Sequence, residues 1–203
     1  MFDQSPIPIY TIGYGDRAVA ALIVLLQRHQ ITYVVDVRTA PYSRYKPEFS
    51  KAELTTALRQ AGLTYIFMGD QLGGRPEDPT CYTEGKVDYA KVEATAAYQQ
   101  GIERLRTAFA QQQRLALLCS EGKPEQCHRS KLIGATLTKL NVPLVHLDEM
   151  DEPQSQDAVI ARLTDGQLSL FGDHGFHSRK RYPSSPKRAQ EESGYEAEAD
   201  NDE

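Results

Sequence analysis

Cys119 ends the apolar run Leu115–Leu118. Ser120 and Glu121 follow, then a Gly-Lys-Pro turn, and then Cys127, His128 and Arg129 in direct succession. A thiol becomes a nucleophile when nearby cations or a helix N-terminus lower its pKa. Pro124 suits a first helical position, so the expected helix opens just ahead of Cys127 and His128. Its free N–H groups would favour a thiolate or a bound anion. Glu121 and His128 are the candidates for proton transfer. The plainer reading of Cys119, a small buried hydrophobe, has equal standing at this point.

Spacing removes several familiar sites. Phosphatase and rhodanese loops place an arginine six positions after the cysteine, but here that position is Glu125 and Arg129 stands ten positions on. There is no CxxC pair. Adjacent residues on a helix point about 100° apart, so Cys127 and His128 are not expected to share a metal. No metal is assigned. A redox pair of Cys119 and Cys127 is kept as a third, weaker reading.

The second constellation lies in "VVDVRTAPYSR". Asp36 inside an apolar strand is costly unless paired. It either joins Arg38 in an internal ion pair or faces the site as a fourth catalytic candidate. Arg38, Arg44 and Arg129 suit bidentate binding of a phosphate or carboxylate. Ser43, Gly13, Tyr14 and Cys127 complete the expected binding set. "GYG" lacks the full GxGxxG pattern, so no dinucleotide site and no cofactor are expected.

Elements that would bring these residues together follow from periodicity. Strands are expected at Ile7–Ile12, Ile31–Val37, Leu63–Met68, Arg114–Cys119 and Val142–Asp148. Helices are expected after Asp16, from a Ser50/Glu53 capping box to Ala61, from Asp88 through Phe109, over Cys127–Leu140 and near Asp157–Leu163. The stretch from Gly69 to Val87 reads as one long loop. Alternating strands and helices imply an α/β fold: a mostly parallel sheet of about five strands with helices on both faces, Rossmann-like in its three layers. In such sheets the loops after the strands share one edge, where ligands bind. Gly13–Tyr14, Asp36–Arg44, Gly73–Arg75, Cys119–Arg129 and His146–Asp148 would all gather there.

"YTIGYG", "VVDVRTAPYSR", "LGGRP" and "LLCSEGKPEQCHR" together resemble the signature blocks of the domain of unknown function 488 family, over about residues 7–150. The resemblance implies a compact α/β domain. It places Asp36, Arg38, Pro41, Ser43, Cys119, Glu121, Cys127, His128 and Arg129 in motif positions. It implies no particular activity.

Further on, "QLSLF" (Gln167, Leu168, Ser169, Leu170, Phe171) resembles the pentapeptide that binds the bacterial DNA sliding clamp. Leu170 and Phe171 would be its apolar anchors. The alternative is that these side chains pack back onto the domain.

The chain has 203 residues with a net charge of −5. One domain over residues 1–173 is expected. Residues 174–203 read as a disordered tail, first basic ("HSRKRYPSSPKR") and then acidic. No stretch is long and apolar enough for a membrane span, and the N-terminus lacks a secretion signal, so the cytoplasm is the expected location. The oligomeric state is open. Two functions stand: a Cys-dependent hydrolase or transferase acting on a phosphate-bearing small molecule or nucleic acid, or a non-catalytic nucleotide- or nucleic-acid-binding module docked on the clamp.

Overall fold

A computed structural model describes residues 6–163 and 176–182. Six strands form the main sheet: β1 (Ile9–Gly13), β2 (Tyr33–Asp36), β3 (Thr64–Phe67), β6 (Leu115–Cys119), β7 (Leu144–Leu147) and β8 (Pro153–Ser155). Their order is β3-β2-β6-β1-β7-β8. The first five are mutually parallel, and β8 runs antiparallel to β7 at the edge. The expected α/β architecture is therefore present, with one extra strand. Three residues opening on a proline carry little strand signal, and an edge is where proline is tolerated.

The period-two alternation of the strands splits the core into two layers. Ile12, Val34, Ala116 and Leu118 pack with Leu22, Leu25 and Leu26 of α1 (Val19–Arg28) and with Leu54 and Leu58 of α2 (Lys51–Gln60). Val35, Leu117 and Cys119 face the other way. They pack with Leu72 of α3 (Gly69–Leu72), Val92 of α4 (Tyr89–Glu93) and Ile102 and Leu105 of α5 (Ala96–Ala110). Strands buried on both faces read as continuous apolar runs, as "LALLC" does.

Several expected boundaries change. Helix α1 starts after Ala18 and is not capped by Asp16. Ser50 does stand at the N-cap of α2, but its hydroxyl accepts from Ser43 N (3.2 Å), so the capping box does not form. The long loop contains α3 and a small hairpin, β4 (Tyr82–Thr83) with β5 (Lys86–Val87). The expected helix from Asp88 to Phe109 is two helices, because Thr95 caps the second by accepting from Tyr98 N (3.3 Å). The segment expected as a helix over Cys127–Leu140 is preceded by a single 3-10 turn, Pro124–Gln126. Cys127 is extended (φ −112°, ψ 151°). A π-helix, Arg129–Gly134, then runs into α6 (Ala135–Lys139). The last helix among the described residues is α7 (Gln156–Leu163).

The sequence places residues 176–182 in the tail, yet they lie against the domain. Phe176 O accepts from Tyr89 N (3.1 Å), Ser178 N donates to Val87 O (3.0 Å), and Tyr182 N donates to Gly85 O (2.7 Å). Phe176 and Tyr182 pack on the core. Two apolar anchors among basic residues are invisible to an average over composition. Gln167, Leu168, Leu170 and Phe171, and the acidic end of the tail, lie outside the described residues. No helix among the described residues is long and apolar enough to cross a membrane.

Candidate active site

Beyond the C-terminal ends of β2 and β6 lies a cavity of about 560 Å³, within the range of small-ligand sites. Cys119, Glu121, Cys127, His128 and Arg38 all line it. Gly74, Arg75, Arg179, Lys180 and Tyr182 close it. Arg179, Lys180 and Tyr182 come from the segment read as tail. The signal that could have placed them was Tyr182 itself, an aromatic among charges with nothing else nearby to bury it.

Glycine is required at two approaches. A Cβ on Gly13 would lie 1.6 Å from the Glu121 carbonyl oxygen, so β1 can pass beneath the Cys119 loop only without a side chain. A Cβ on Gly74 would lie 2.7 Å from the His128 ring, which rests on that glycine.

The two cysteines and the histidine converge. Cys127 Sγ donates to Cys119 Sγ at 2.8 Å, and His128 Nδ1 lies 3.7 Å from Cys119 Sγ and 3.6 Å from Cys127 Sγ. His128 Nε2 is 3.0 Å from Val37 O. A carbonyl only accepts, so Nε2 carries a proton and Nδ1 is the nitrogen that faces the sulfurs. The three ligand atoms lie within 4.8 Å of one another, a set that could hold a metal ion. The expectation that Cys127 and His128 diverge is thus corrected: it assumed helical backbone at Cys127, which is extended.

Arg129 is wholly buried. Its Nη2 donates to Gly122 O (2.7 Å), while Nε and Nη1 have no hydrogen-bond partner. Burial lowers its pKa, opposed by the charges of Cys127 and Cys119 and, more weakly, Glu125. The Cys119 thiol is held well below the ordinary thiol range. The Cys127 hydrogen bond contributes most to this, followed by His128 and Arg129, against the opposing effect of burial. Burial and the neighbouring Cys119 push the Cys127 thiol up. The two sulfurs are therefore unlike: Cys119 is the more acidic thiol and Cys127 the donor.

Asp36 resolves toward the internal pair. It is fully buried and accepts from Arg38 N (3.0 Å), Nε (2.9 Å) and Nη2 (2.6 Å) and from the Tyr65 hydroxyl (2.7 Å). It is outside the cavity wall and orients Arg38. Burial disfavours the Arg38 charge, but the hydrogen bonds and charge of Asp36 outweigh it and raise the pKa. Arg38 Nη1 remains buried without a hydrogen-bond partner.

Ser43, Arg44, Gly13 and Tyr14 are also outside the wall. Ser43 shapes its loop, its hydroxyl accepting from Lys46 N (3.1 Å). Tyr14 stacks on Phe49 at 4.2 Å and supports Arg38, whose guanidinium lies 5.4 Å from the Tyr14 ring centre. His146 and Asp148 do not join the site either. His146 is buried between Thr11 Oγ1 (2.7 Å) and Gln156 Oε1 (2.6 Å), and Asp148 accepts from Met150 N (2.9 Å) and Glu152 N (3.0 Å).

No curated protein and no solved structure matches this chain significantly. The family model described as "Domain of unknown function DUF488" does match, over residues 18–136, a span that carries Asp36, Arg38, Cys119, Cys127, His128 and Arg129 together, and the chain belongs to that family.

Proposed function

We propose that this protein is a cysteine-dependent hydrolase or transferase acting on a phosphate-bearing substrate, a nucleotide or nucleic acid, with Cys119 as the nucleophile. The observation that carries this reading is the Cys119 sulfur on the cavity wall, held by the Cys127 thiol at 2.8 Å and coupled to His128 and the buried Arg129. A cation buried without a carboxylate partner costs several kcal/mol or more, and a thiolate at Cys119 supplies the missing charge.

The cavity wall favours an anion. Arg38, Arg75, Arg179 and Lys180 face Glu77 and Glu121, four cationic side chains against two acidic ones. Asp36 holds Arg38 on the cavity wall in a fixed orientation, the preorganisation that phosphate recognition uses. Tyr42, which lines the cavity, and Tyr45 on the same loop are 74% and 93% exposed. Exposed aromatics beside a cationic site suit stacking of a base.

The chemistry follows from these places. Cys119 Sγ attacks the electrophilic centre and forms a covalent intermediate. His128 or Glu121 gives a proton to the leaving group and then takes one from the water or acceptor that releases the intermediate.

Two measurements test the reading. Cys119 is buried like Cys81 but lines the cavity, and should alkylate with iodoacetamide at pH 6 far faster than Cys81. Nucleotides or short single strands should raise the melting temperature, and Arg75→Gln should abolish the rise. Cys119 alkylating no faster than Cys81, with no ligand shifting the melt, would overturn it.

A further inference from the structure

Two sulfurs in hydrogen-bond contact are more than a nucleophile needs. We infer that Cys119 and Cys127 form a dithiol that a hydroperoxide converts to a disulfide, so that the nucleophile of the proposed reaction is switched off by oxidation and restored by thiols. This rests on Cys119 being the reactive thiolate.

The first step forms a sulfur–oxygen bond. The Cys119 thiolate attacks the terminal oxygen of the hydroperoxide, the O–O bond breaks, and the alkoxide or hydroxide leaves and takes a proton from solvent. Cys119 is then a sulfenic acid. In the second step Cys127 Sγ, 2.8 Å away, gives up its proton and attacks the Cys119 sulfur. The S–S bond forms, the S–O bond breaks, and hydroxide leaves with that proton as water. Two thiol sulfurs are oxidised by two electrons in all, and one peroxide is reduced to an alcohol, or water, and water. Glu121 and His128 line the same cavity, so the oxidant enters where the substrate does.

The surroundings make the change reversible. Closing the disulfide removes the thiolate that balances Arg129, whose Nε and Nη1 then keep neither a hydrogen-bond partner nor a sulfur anion. The reduced form is thus the stabilised one, as in oxidising dithiols generally. Extended backbone at Cys127, before the π-helix, keeps the two sulfurs on one side of the loop. π-helical turns occur mostly at functional sites.

A metal ion is the rival occupant of the same atoms. A divalent ion held by two thiolates would leave Arg129 with no net anion to balance.

The test uses the full chain, reduced and desalted, with stoichiometric hydrogen peroxide. Intact mass should fall by about 2 Da, as loss of two hydrogens requires. Peptide mapping should join Cys119 to Cys127 with Cys81 free, and dithiothreitol should reverse the change. Cys127→Ser should instead stop at, or pass beyond, the sulfenic acid at Cys119. Fast Cys119 alkylation with no disulfide under peroxide would overturn the switch and leave the nucleophile standing. One tightly held zinc per chain, protecting both thiols from peroxide, would overturn it as well. Slow alkylation of Cys119 in the reduced protein would count against the nucleophile itself.

Discussion

Arg38 and Arg129 are both buried, and they follow strands that lie side by side, β2 and β6. Their surroundings differ. Arg38 grips Asp36 through its backbone N–H, Nε and Nη2, and Tyr65 donates to the same carboxylate. Arg129 has one side-chain hydrogen bond, to the Gly122 carbonyl, and otherwise two sulfurs and, more weakly, Glu125 within electrostatic reach. The first cluster carries its own counter-charge. The second is balanced mainly when a thiol ionises, so its chemistry depends on its charge state. A buried polar group left unpaired marks where function has displaced stability.

The largest expected effect comes from breaking the satisfied pair. Asp36→Ala leaves Arg38 buried and unpaired and should cost about 3–5 kcal/mol, read as a lower urea midpoint at unchanged slope. Arg129→Met, which keeps the volume and deletes the charge, should cost less than about 1 kcal/mol, because a poorly compensated buried cation contributes little to stability. Equal losses in the two variants would erase the distinction.

His146 extends the comparison to a third buried group that is satisfied at both nitrogens. Burial depresses its pKa to about 4. Its folded pKa is below the unfolded value, so its share of stability is complete above about pH 6.5 and is lost as pH falls toward 4. By pH 5 the loss should be about 2 kcal/mol. Denaturant titrations of the wild type and His146→Gln between pH 7 and 4.5 measure it. Identical pH slopes would mean that His146 is not the sensor. Tyr65→Phe should cost somewhat less, about 1.5 kcal/mol, for one hydrogen bond to a charged acceptor. A neutral result would show that Arg38 alone satisfies Asp36.

The same contrast explains what could be read before any coordinates. Strands β1, β2, β3, β6 and β7 announce themselves as apolar runs, and α1 and α2 by their leucine spacing. The edge holding Cys119, Glu121, His128 and Arg38 followed from that order. Two kinds of information were missing. One was local backbone: nothing in "PEQCHR" says that Cys127 is extended and not helical, and that single residue decides whether its sulfur meets Cys119 or turns away. The other was long-range pairing. The contacts of Ser178 with Val87 and of Tyr182 with Gly85 span a sequence separation over which no periodicity operates. Asp36 lay between, since the residue types fitted both an ion pair and an acid, and only its four donors decided.

The smallest effect in energy tests the unsatisfied cluster most directly. Arg129 favours the Cys119 thiolate alongside Cys127 and His128. Removing its charge should therefore raise the Cys119 pKa. Alkylation follows the thiolate fraction. The rate–pH curve of wild-type Cys119 should level off below the ordinary thiol range, near 8.5. In Arg129→Met it should level off at higher pH, with slower alkylation at pH values below both plateaus. Arg129→Lys separates charge from shape: it keeps the cation and loses the fork that holds Gly122 O. If charge is what matters, lysine restores most of the rate. If both variants alkylate alike, Arg129 acts by holding the Gly122 turn, and the thiolate at Cys119 depends on Cys127 and His128 alone.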